Sequence, residues 1–198
     1  MLKQILEITL MNLRNLPSRL GSSSVIVVGI AGVVGVLIAI LAMAAGFTAT
    51  LERGGAVDRA IILRGGSSSG ELTSNIDTRS AAYIGTLAGI ELSSAEIFLV
   101  ADILKRSSLT AANLSIRGVE QDGFPLRPEF SIVEGRNFNP GVNELIAGRN
   151  ASAQFVGIDL GATVELRQSH WTVVGIFETD GSAYESELWM DMPTAQSA

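Results

Sequence analysis

Acidic side chains are the most numerous groups in this sequence that could do chemistry, since it contains 20 Asp and Glu residues. Two carboxylates can act as general acid and base when one motif holds them together. Eighteen of these carboxylates are scattered from Asp58 to Asp191, and no two share the spacing of such a motif. We therefore interpret them as the solvated faces of an acidic domain.

The sequence also gives little support for nucleophilic or metal-based catalysis. Serine is plentiful, but there is no Gly-x-Ser-x-Gly motif, and the single histidine, His170, lies in a predicted strand beside Trp171. Cysteine is absent, which excludes thiolate metal sites, and one histidine cannot form a histidine-based metal site alone. We predict no catalytic residue, no metal and no cofactor, and hence no enzyme.

Two glycine-containing motifs could bind a ligand or form turns. The segment Arg64–Gly70, RGGSSSG, follows a predicted strand, but a P-loop requires Lys and then Ser or Thr after its last glycine, and Glu71 and Leu72 stand there. We interpret this segment as a flexible connection. We interpret Glu134-Gly135-Arg136 as a tight turn held by the glycine and by a salt bridge of the arginine.

The apolar stretch Val25–Phe47 is the most distinctive part of the chain, and no charged residue lies between Arg19 and Glu52. A helix of that length covers about 34 Å, enough to cross a hydrocarbon core of about 30 Å. Ala42-Met43-Ala44 matches a signal-peptidase pattern, but the preceding segment and the apolar stretch are both longer than in signal peptides. We predict a retained membrane anchor.

Charge predicts the orientation of this helix. Lys3, Arg14 and Arg19 precede it against Glu7, a net of +2, and the total of −6 leaves −8 for the remainder. Positive residues close to a membrane span favour the cytoplasmic side, so we expect a cytoplasmic N-terminus and an extracytoplasmic main domain. An acidic domain without a basic cluster argues against nucleic acid as a ligand.

Residues 2–20 place apolar side chains at helical spacing, which predicts an amphipathic helix at the inner membrane interface, in contact with lipid. A helix packed on another subunit would have the same pattern. Pro17 and the run Gly21–Ser24 are expected to break this helix before the membrane span.

Within the predicted membrane helix, small residues are concentrated on one surface. Small side chains let a second helix approach closely, although Ala and Gly are also simply abundant in membrane spans. The predicted helix-packing face consists of Gly29, Ala31, Gly32, Gly35 and Ala39.

Beyond the membrane, the pattern predicts an α+β fold. The helix is expected to extend from Thr48 to Gly54-Gly55, and a helix capped by Asp77 or Thr78 to end at Gly89. Alternating polar and apolar residues predict strands, with a short helix at 150–156 between two of them. The predicted strands are 59–63, 96–103, 113–119, 131–133, 144–147, 163–167, 171–177 and 187–190.

Several segments together resemble one family of membrane proteins. They are IVEGRNF (132–138), NELIAGRNASAQF (143–155), VGIDLGATVEL (156–166), WTVVGIF (171–177) and SELWMD (186–191), with further similarity at 58–74 and 101–119. These segments are similar to the extracytoplasmic core domain of MacB/FtsX-type ABC transporter permeases. The resemblance extends over nearly the whole chain.

The resemblance implies a permease subunit in the cell (inner) membrane. Its expected partners are a cytosolic ABC ATP-binding subunit, a second permease copy in a dimer, membrane lipid and a periplasmic adaptor protein. In such permeases, the movement driven by ATP hydrolysis is transmitted to the outer domain through membrane helices. Three more membrane helices follow that domain. This chain ends at Ala198, so we expect a fragment, a truncated gene or one piece of a split permease.

The expected architecture has an interfacial helix at 1–23, a membrane helix at 24–50, a membrane-proximal α+β lobe at 51–129 and a β-rich lobe at 130–198. The outer domain is thus expected to have two lobes, an α+β lobe with a β-rich insertion. The alternative function is a single-pass anchored domain that binds an extracytoplasmic partner without any ATPase.

Overall fold

The computed structural model describes residues 2–14, 20–54, 56, 58–66, 70–166 and 169–197. The described residues of the N-terminal unit, Met1–Ala49, are helical. Helix α1 spans Leu2–Arg14. Helix α2 spans Leu20–Gly54 and so continues past this unit. The helix predicted at the N-terminus and the end of the long helix at Gly54 are therefore confirmed, whereas Pro17 lies outside the described residues.

The predicted break at Gly21–Ser24 is wrong, because these residues form the first turns of α2. The hydroxyl of Ser24 donates to the carbonyl oxygen of Gly21 at 2.9 Å. Such a bond to the preceding turn places the serine hydroxyl within the helix without an external partner. The helix can therefore begin with a polar run and continue directly into the apolar stretch.

Helix α2 contains a stretch with the length and apolarity of a membrane span. Within Ser24–Ala49, an 18-residue window has a mean hydropathy of 3.1, and none of that window is buried within the protein. Large side chains such as Val33 and Met43 are 72% and 80% exposed. A helix that is apolar all round needs an apolar environment, and a bilayer provides one.

Among its described residues, the second unit, Thr50–Ala198, contains one mixed sheet and three short α-helices beyond α2. The strands are β1 (Glu96–Leu104), β2 (Ala111–Val119), β3 (Ser131–Gly135), β4 (Glu144–Gly148), β5 (Thr163–Leu166), β6 (Ser169–Glu178) and β7 (Glu187–Asp191), and the helices are α3 (Thr78–Ile84), α4 (Arg149–Gln154) and α5 (Met192–Ser197).

The sheet order is β1-β2-β7-β4-β6-β3, and β5 pairs with β6. Strands β1 and β2 form an antiparallel hairpin in which Phe98 lies opposite Arg117. Strand β7 then pairs in parallel with β2, which places Trp189 beside Arg117. The first two strands and the last strand in the sequence are thus neighbours in the sheet.

Both faces of the sheet are covered by apolar side chains. One face packs Leu114, Leu188 and Trp171 against α4 and α5 through Ala151 and Ala195. The other face carries an aromatic cluster in which the rings of Phe130 and Trp189 stack 5.4 Å apart. The further members of this cluster are Phe124, Phe138, Phe177 and Tyr184.

The α+β class is confirmed, as are the predicted strands of the β1–β2 hairpin and those between 131 and 190, to within a few residues. The predicted strand at 59–63 is wrong, since no strand is assigned to residues 58–66. A strand needs a neighbour to accept its backbone hydrogen bonds. The two lobes are predicted to meet at residues 129 and 130. Strands from both sides of this position belong to one sheet, so the boundary between the lobes stays a prediction.

Helix α3 begins as predicted but ends earlier. The carboxylate of Asp77 accepts hydrogen bonds from the backbone N–H groups of Arg79 and Ser80 at 3.1 and 3.0 Å, which satisfies the first free donors of the helix. The helix ends at Ile84 rather than at Gly89, because the N–H of Gly85 is the last to donate four residues back, to Ala81, and that of Thr86 donates to the carbonyl oxygen of Tyr83 only three residues earlier.

Candidate functional site

The helix-packing face predicted from the sequence lies in the apolar part of α2, where Gly29, Ala31, Gly32, Gly35 and Ala39 are all exposed. A Cβ atom added at Gly29, Gly32 or Gly35 would meet no heavy atom within 4 Å. The surface is therefore open to a second helix. That such a helix binds there stays a prediction.

The turn predicted at Glu134-Gly135-Arg136 is wrong, because Glu134 and Gly135 form the end of strand β3 and pair with β6, although the predicted salt bridge of the arginine is present. Gly135 has a φ of +74°, and a Cβ atom there would lie 2.3 Å from the carbonyl oxygen of Val174, so the position requires glycine. Arg136 donates to both carboxylate oxygens of Glu144, at 2.5 and 2.7 Å. The hydrogen bond from Arg136 lowers the pKa of Glu144.

His170 is an exposed strand residue opposite Glu165.

The interpretation of the carboxylates as solvated is wrong at several positions. Glu71, Glu96 and Glu187 converge on Arg117, a buried residue in the middle of β2. Two further carboxylates are buried as well. Glu185 accepts the backbone N–H groups of Thr179 and Gly181. Asp191 accepts from Gly141, and from both the backbone and the hydroxyl of Thr194.

Arg117 is surrounded by hydrogen-bond acceptors. Its Nε and Nη2 donate to the two oxygens of Glu187 at 2.8 and 2.9 Å, and its Nη1 donates to Glu96 at 2.9 Å. Glu71 accepts from Nη2 at 2.9 Å and from Nη1 at 3.4 Å. Burial alone would lower the pKa of Arg117, but the hydrogen bonds and charges of these glutamates raise it above its ordinary value. The guanidinium therefore stays charged.

A second arginine extends this site. Arg127 donates to Glu96 at 2.9 Å and to the carbonyl oxygen of Gly123 at 3.1 Å. Its guanidinium carbon lies 4.9 Å from the ring centroid of Tyr184 and 5.2 Å from that of Trp189. We name the group of Arg117, Arg127, Glu71, Glu96 and Glu187 the Arg117 cluster. It connects the aromatic face of the sheet to the turn that carries Glu71.

A separate ion pair lies close to the end of α2 in sequence. Arg59 donates to Glu129 at 2.6 and 3.1 Å and to the carbonyl oxygen of Leu126 at 2.8 Å. The hydrogen bond from Arg59 lowers the pKa of Glu129. We name residues 56–95 the connecting segment and residues 96–197 the sheet region. The Arg59–Glu129 pair and the Glu71–Arg117 pair both join the connecting segment to the sheet region.

These sites are suited to holding segments together rather than to binding small ligands. No group of three His, Cys, Asp or Glu residues within the described ranges could hold a metal ion. The three glutamates around Arg117 already share a cation, the guanidinium itself. The surface depressions beside Arg149 are lined mostly by charged and polar groups, whereas small-molecule sites are mostly apolar.

One sequence signal for the Arg117 cluster is the context of Arg117. The strand Asn113–Val119 has apolar residues at 114, 116 and 119, and an arginine stands among them. Arginine is almost never fully buried unless it is paired, so a charge inside an apolar strand indicates carboxylate partners. The sequence does not identify those partners, which lie 21, 46 and 70 residues away.

Comparison with known proteins gives the family. The family model described as the MacB-like periplasmic core domain matches residues 23–198. The comparison with curated proteins finds no match.

Two solved structures show similarity. The extracellular domain of the noncanonic ABC-type transporter YknZ from Gram-positive bacteria is 17% identical, with 66% of this chain and 72% of that chain covered and a TM-score of 0.47. The periplasmic region of MacB from Actinobacillus actinomycetemcomitans is also 17% identical, with 62% and 58% covered and a TM-score of 0.44. This chain thus spans just over half of the MacB periplasmic region.

The family match includes most of α2 and the entire sheet region in one alignment. It agrees with an apolar N-terminal helix that anchors an extracytoplasmic α+β domain. This chain belongs to the MacB-like periplasmic core domain family, a component of ABC-type transporter permeases.

Proposed function

We propose that this chain is the N-terminal part of the permease subunit of a MacB/FtsX-type ABC transporter. In this proposal a cytosolic ATP-binding subunit hydrolyses ATP, and the membrane helices transmit the resulting movement to the extracytoplasmic domain. The observation that carries the proposal is the family match over residues 23–198, which includes the helix and the domain together. The permease supplies no catalytic residue and binds no cofactor.

In the proposed orientation, α2 crosses the cell (inner) membrane with the N-terminus in the cytoplasm. The positive charges of Lys3 and Arg14 before the apolar stretch support this orientation. Helix α1 then lies at the inner interface and contacts lipid, since its apolar side chains are exposed, with Ile5 at 63% and Met11 at 68%.

The connecting segment is the proposed route by which movement of α2 reaches the sheet region. After the helix, Arg59 forms an ion pair with Glu129, and further along the segment Glu71 forms one with Arg117. Both end on the sheet region, and Arg117 lies in a central position between β1 and β7. A displacement of the connecting segment would therefore act on the sheet through these two charged contacts.

The Cys-free sequence permits a direct test of this coupling. A single cysteine at Leu72→Cys would carry a spin label on the connecting segment, where Leu72 is 58% exposed. We expect the mobility of this label to change when ATP is added to membranes that contain the ATP-binding subunit. A label at Leu109→Cys, 69% exposed at the β1–β2 turn, is the matched control for a local change.

Recruitment of an ATP-binding subunit separates this function from the anchored binding domain. The tagged full chain, purified from its host membrane, should bring with it a protein that has a P-loop. If no such protein is recovered and ATP leaves the Leu72→Cys label unchanged, the permease function is contradicted. Recovery of an extracytoplasmic protein alone would then favour the adaptor function.

The small-residue face of α2 is the proposed contact with a second permease copy. Gly29, Ala31, Gly32, Gly35 and Ala39 permit close approach of helices, which is the main source of specificity in lipid. We expect Gly35→Leu to weaken the crosslinked dimer in membranes several-fold. Val36→Leu changes a neighbouring side chain of similar size and serves as the control. An unchanged crosslink in Gly35→Leu would contradict a contact through this face.

A further inference from the structure

The three glutamates around Arg117 do not hold it equally. Glu187 binds two donors in a forked arrangement and also accepts the indole N–H of Trp189 at 2.9 Å. Glu96 is shared with Arg127. Glu71 is bound to Arg117 alone among the described ion pairs, and one of its two hydrogen bonds is long, at 3.4 Å.

The charge balance of the cluster also sets Glu71 apart. Without Glu71, the two arginines face two carboxylates, those of Glu96 and Glu187, and the buried charges are balanced. Glu71 adds a third negative charge to this balanced set. Loss of a buried partner is costly when it leaves an uncompensated charge. Removal of Glu71 leaves no uncompensated charge, so its departure from the cluster avoids that cost.

The three glutamate side chains are also buried to different degrees, and Glu71 is the least buried. The side chain of Glu71 is 24% exposed, compared with 19% for Glu96 and 10% for Glu187. The 3-10 turn that carries Glu71, Glu71–Thr73, contains no buried residue. Water can therefore reach the arginine N–H groups that Glu71 would vacate, and detachment of the turn uncovers little apolar surface.

We propose that the Glu71–Arg117 pair is a detachable contact: the turn Glu71–Thr73 leaves Arg117 while the sheet region stays folded. Detachment releases one attachment of the connecting segment between the contact of Arg59 and that of the Ala95 amide, which donates to Glu120 at 3.3 Å. The segment can then change its path without any strand being lost. The use of this contact to limit movement of the outer domain depends on the proposed function, but the contact itself does not.

Hydrogen exchange of the full chain in detergent tests the detachable contact. The amide of Ser74 donates to the carbonyl oxygen of Glu71 at 3.1 Å, and the amide of Arg64 donates to the hydroxyl of Ser74 at 2.8 Å. Both amides report on the turn. In Glu71→Gln we expect them to exchange about fivefold faster, while amides of β2 and β7 keep their wild-type rates.

Two matched variants complete the experiment. Glu187→Gln removes the same charge from the buried side of the cluster and should accelerate exchange throughout β2 and β7. Glu91→Gln removes it from an exposed position and should change neither set of amides. The proposal is overturned if Glu71→Gln accelerates the sheet amides as Glu187→Gln does, or if it leaves Ser74 and Arg64 unchanged. ATP and the ATPase are absent from this experiment, so it stands apart from the test of coupling.

Discussion

The connecting segment and the sheet region are consecutive in the chain but are held by different forces. In the sheet region, Trp171, Phe177 and Trp189 are at most 1% exposed. In the connecting segment no described residue is buried, and Ile61, Leu72 and Tyr83 are between 58% and 67% exposed. Its attachments to the sheet region include the ion pairs Arg59–Glu129 and Glu71–Arg117.

This difference has a mechanical consequence. Apolar burial is lost only when packing is disrupted, so the sheet region should respond as one body. A partly exposed ion pair such as Arg59–Glu129 can be replaced by hydrogen bonds to water at a cost of about 1 kcal/mol or less. The connecting segment should therefore move first when α2 moves, and the sheet region should follow without unfolding.

The largest expected effect follows from removal of the central aromatic side chain. Trp189→Ala should lower the free energy of unfolding by about 3–5 kcal/mol, because it leaves a cavity between Phe130 and Phe177. Leu72→Ala in the connecting segment should change it by less than about 0.5 kcal/mol. Urea unfolding followed by circular dichroism measures both. Equal losses in the two variants would contradict the comparison.

The next effect concerns the buried end of the Arg117 cluster. Arg117→Met should cost about 3 kcal/mol, because the buried carboxylate of Glu187 loses its cation. The double variant Arg117→Met with Glu187→Gln should recover part of this loss, since the uncompensated charge is removed. The same urea titration gives the comparison. A double variant less stable than Arg117→Met alone would show that the cost is lost packing and not charge.

The strands could be predicted where their own residues determine them. In β5, Val164 and Leu166 are buried while Thr163 and Glu165 are exposed, as alternation requires. Residues 59–63 have equally apolar side chains but form no strand. A strand forms only where a neighbouring strand can pair with its backbone. The local sequence does not indicate whether such a neighbour is present.

The Arg117 cluster could not be predicted for a related reason. Its members come from the connecting segment, from β1, β2 and β7, and from the loop between β2 and β3. Only the parallel pairing of β2 with β7 brings Glu187 to Arg117. From composition alone, every carboxylate is expected to be a solvent-exposed charge. By contrast, the salt bridge of Arg136 was predictable, because its partner Glu144 is only eight residues away in sequence, although the motif ends a strand rather than forming a turn.

The smallest expected effect is the pH dependence of the Arg59–Glu129 pair. Because Arg59 lowers the pKa of Glu129 in the folded protein, the pair contributes fully above the unfolded pKa of about 4.3. That contribution is lost as the pH falls through the lower folded value. With side chains 23% and 33% exposed, the pair should contribute less than about 1 kcal/mol.

Glu129→Gln isolates this contribution from that of Glu144, whose pKa is also lowered. Between pH 7 and pH 3, the wild-type protein should lose up to about 1 kcal/mol more unfolding free energy than Glu129→Gln does. Glu165→Gln, on the exposed side of β5, should lose as much as the wild type. A difference well above this limit would show that the Arg59–Glu129 pair holds the connecting segment as firmly as packing holds the sheet. The two regions would then move together, and the comparison would fail at the contact nearest to the membrane helix in sequence.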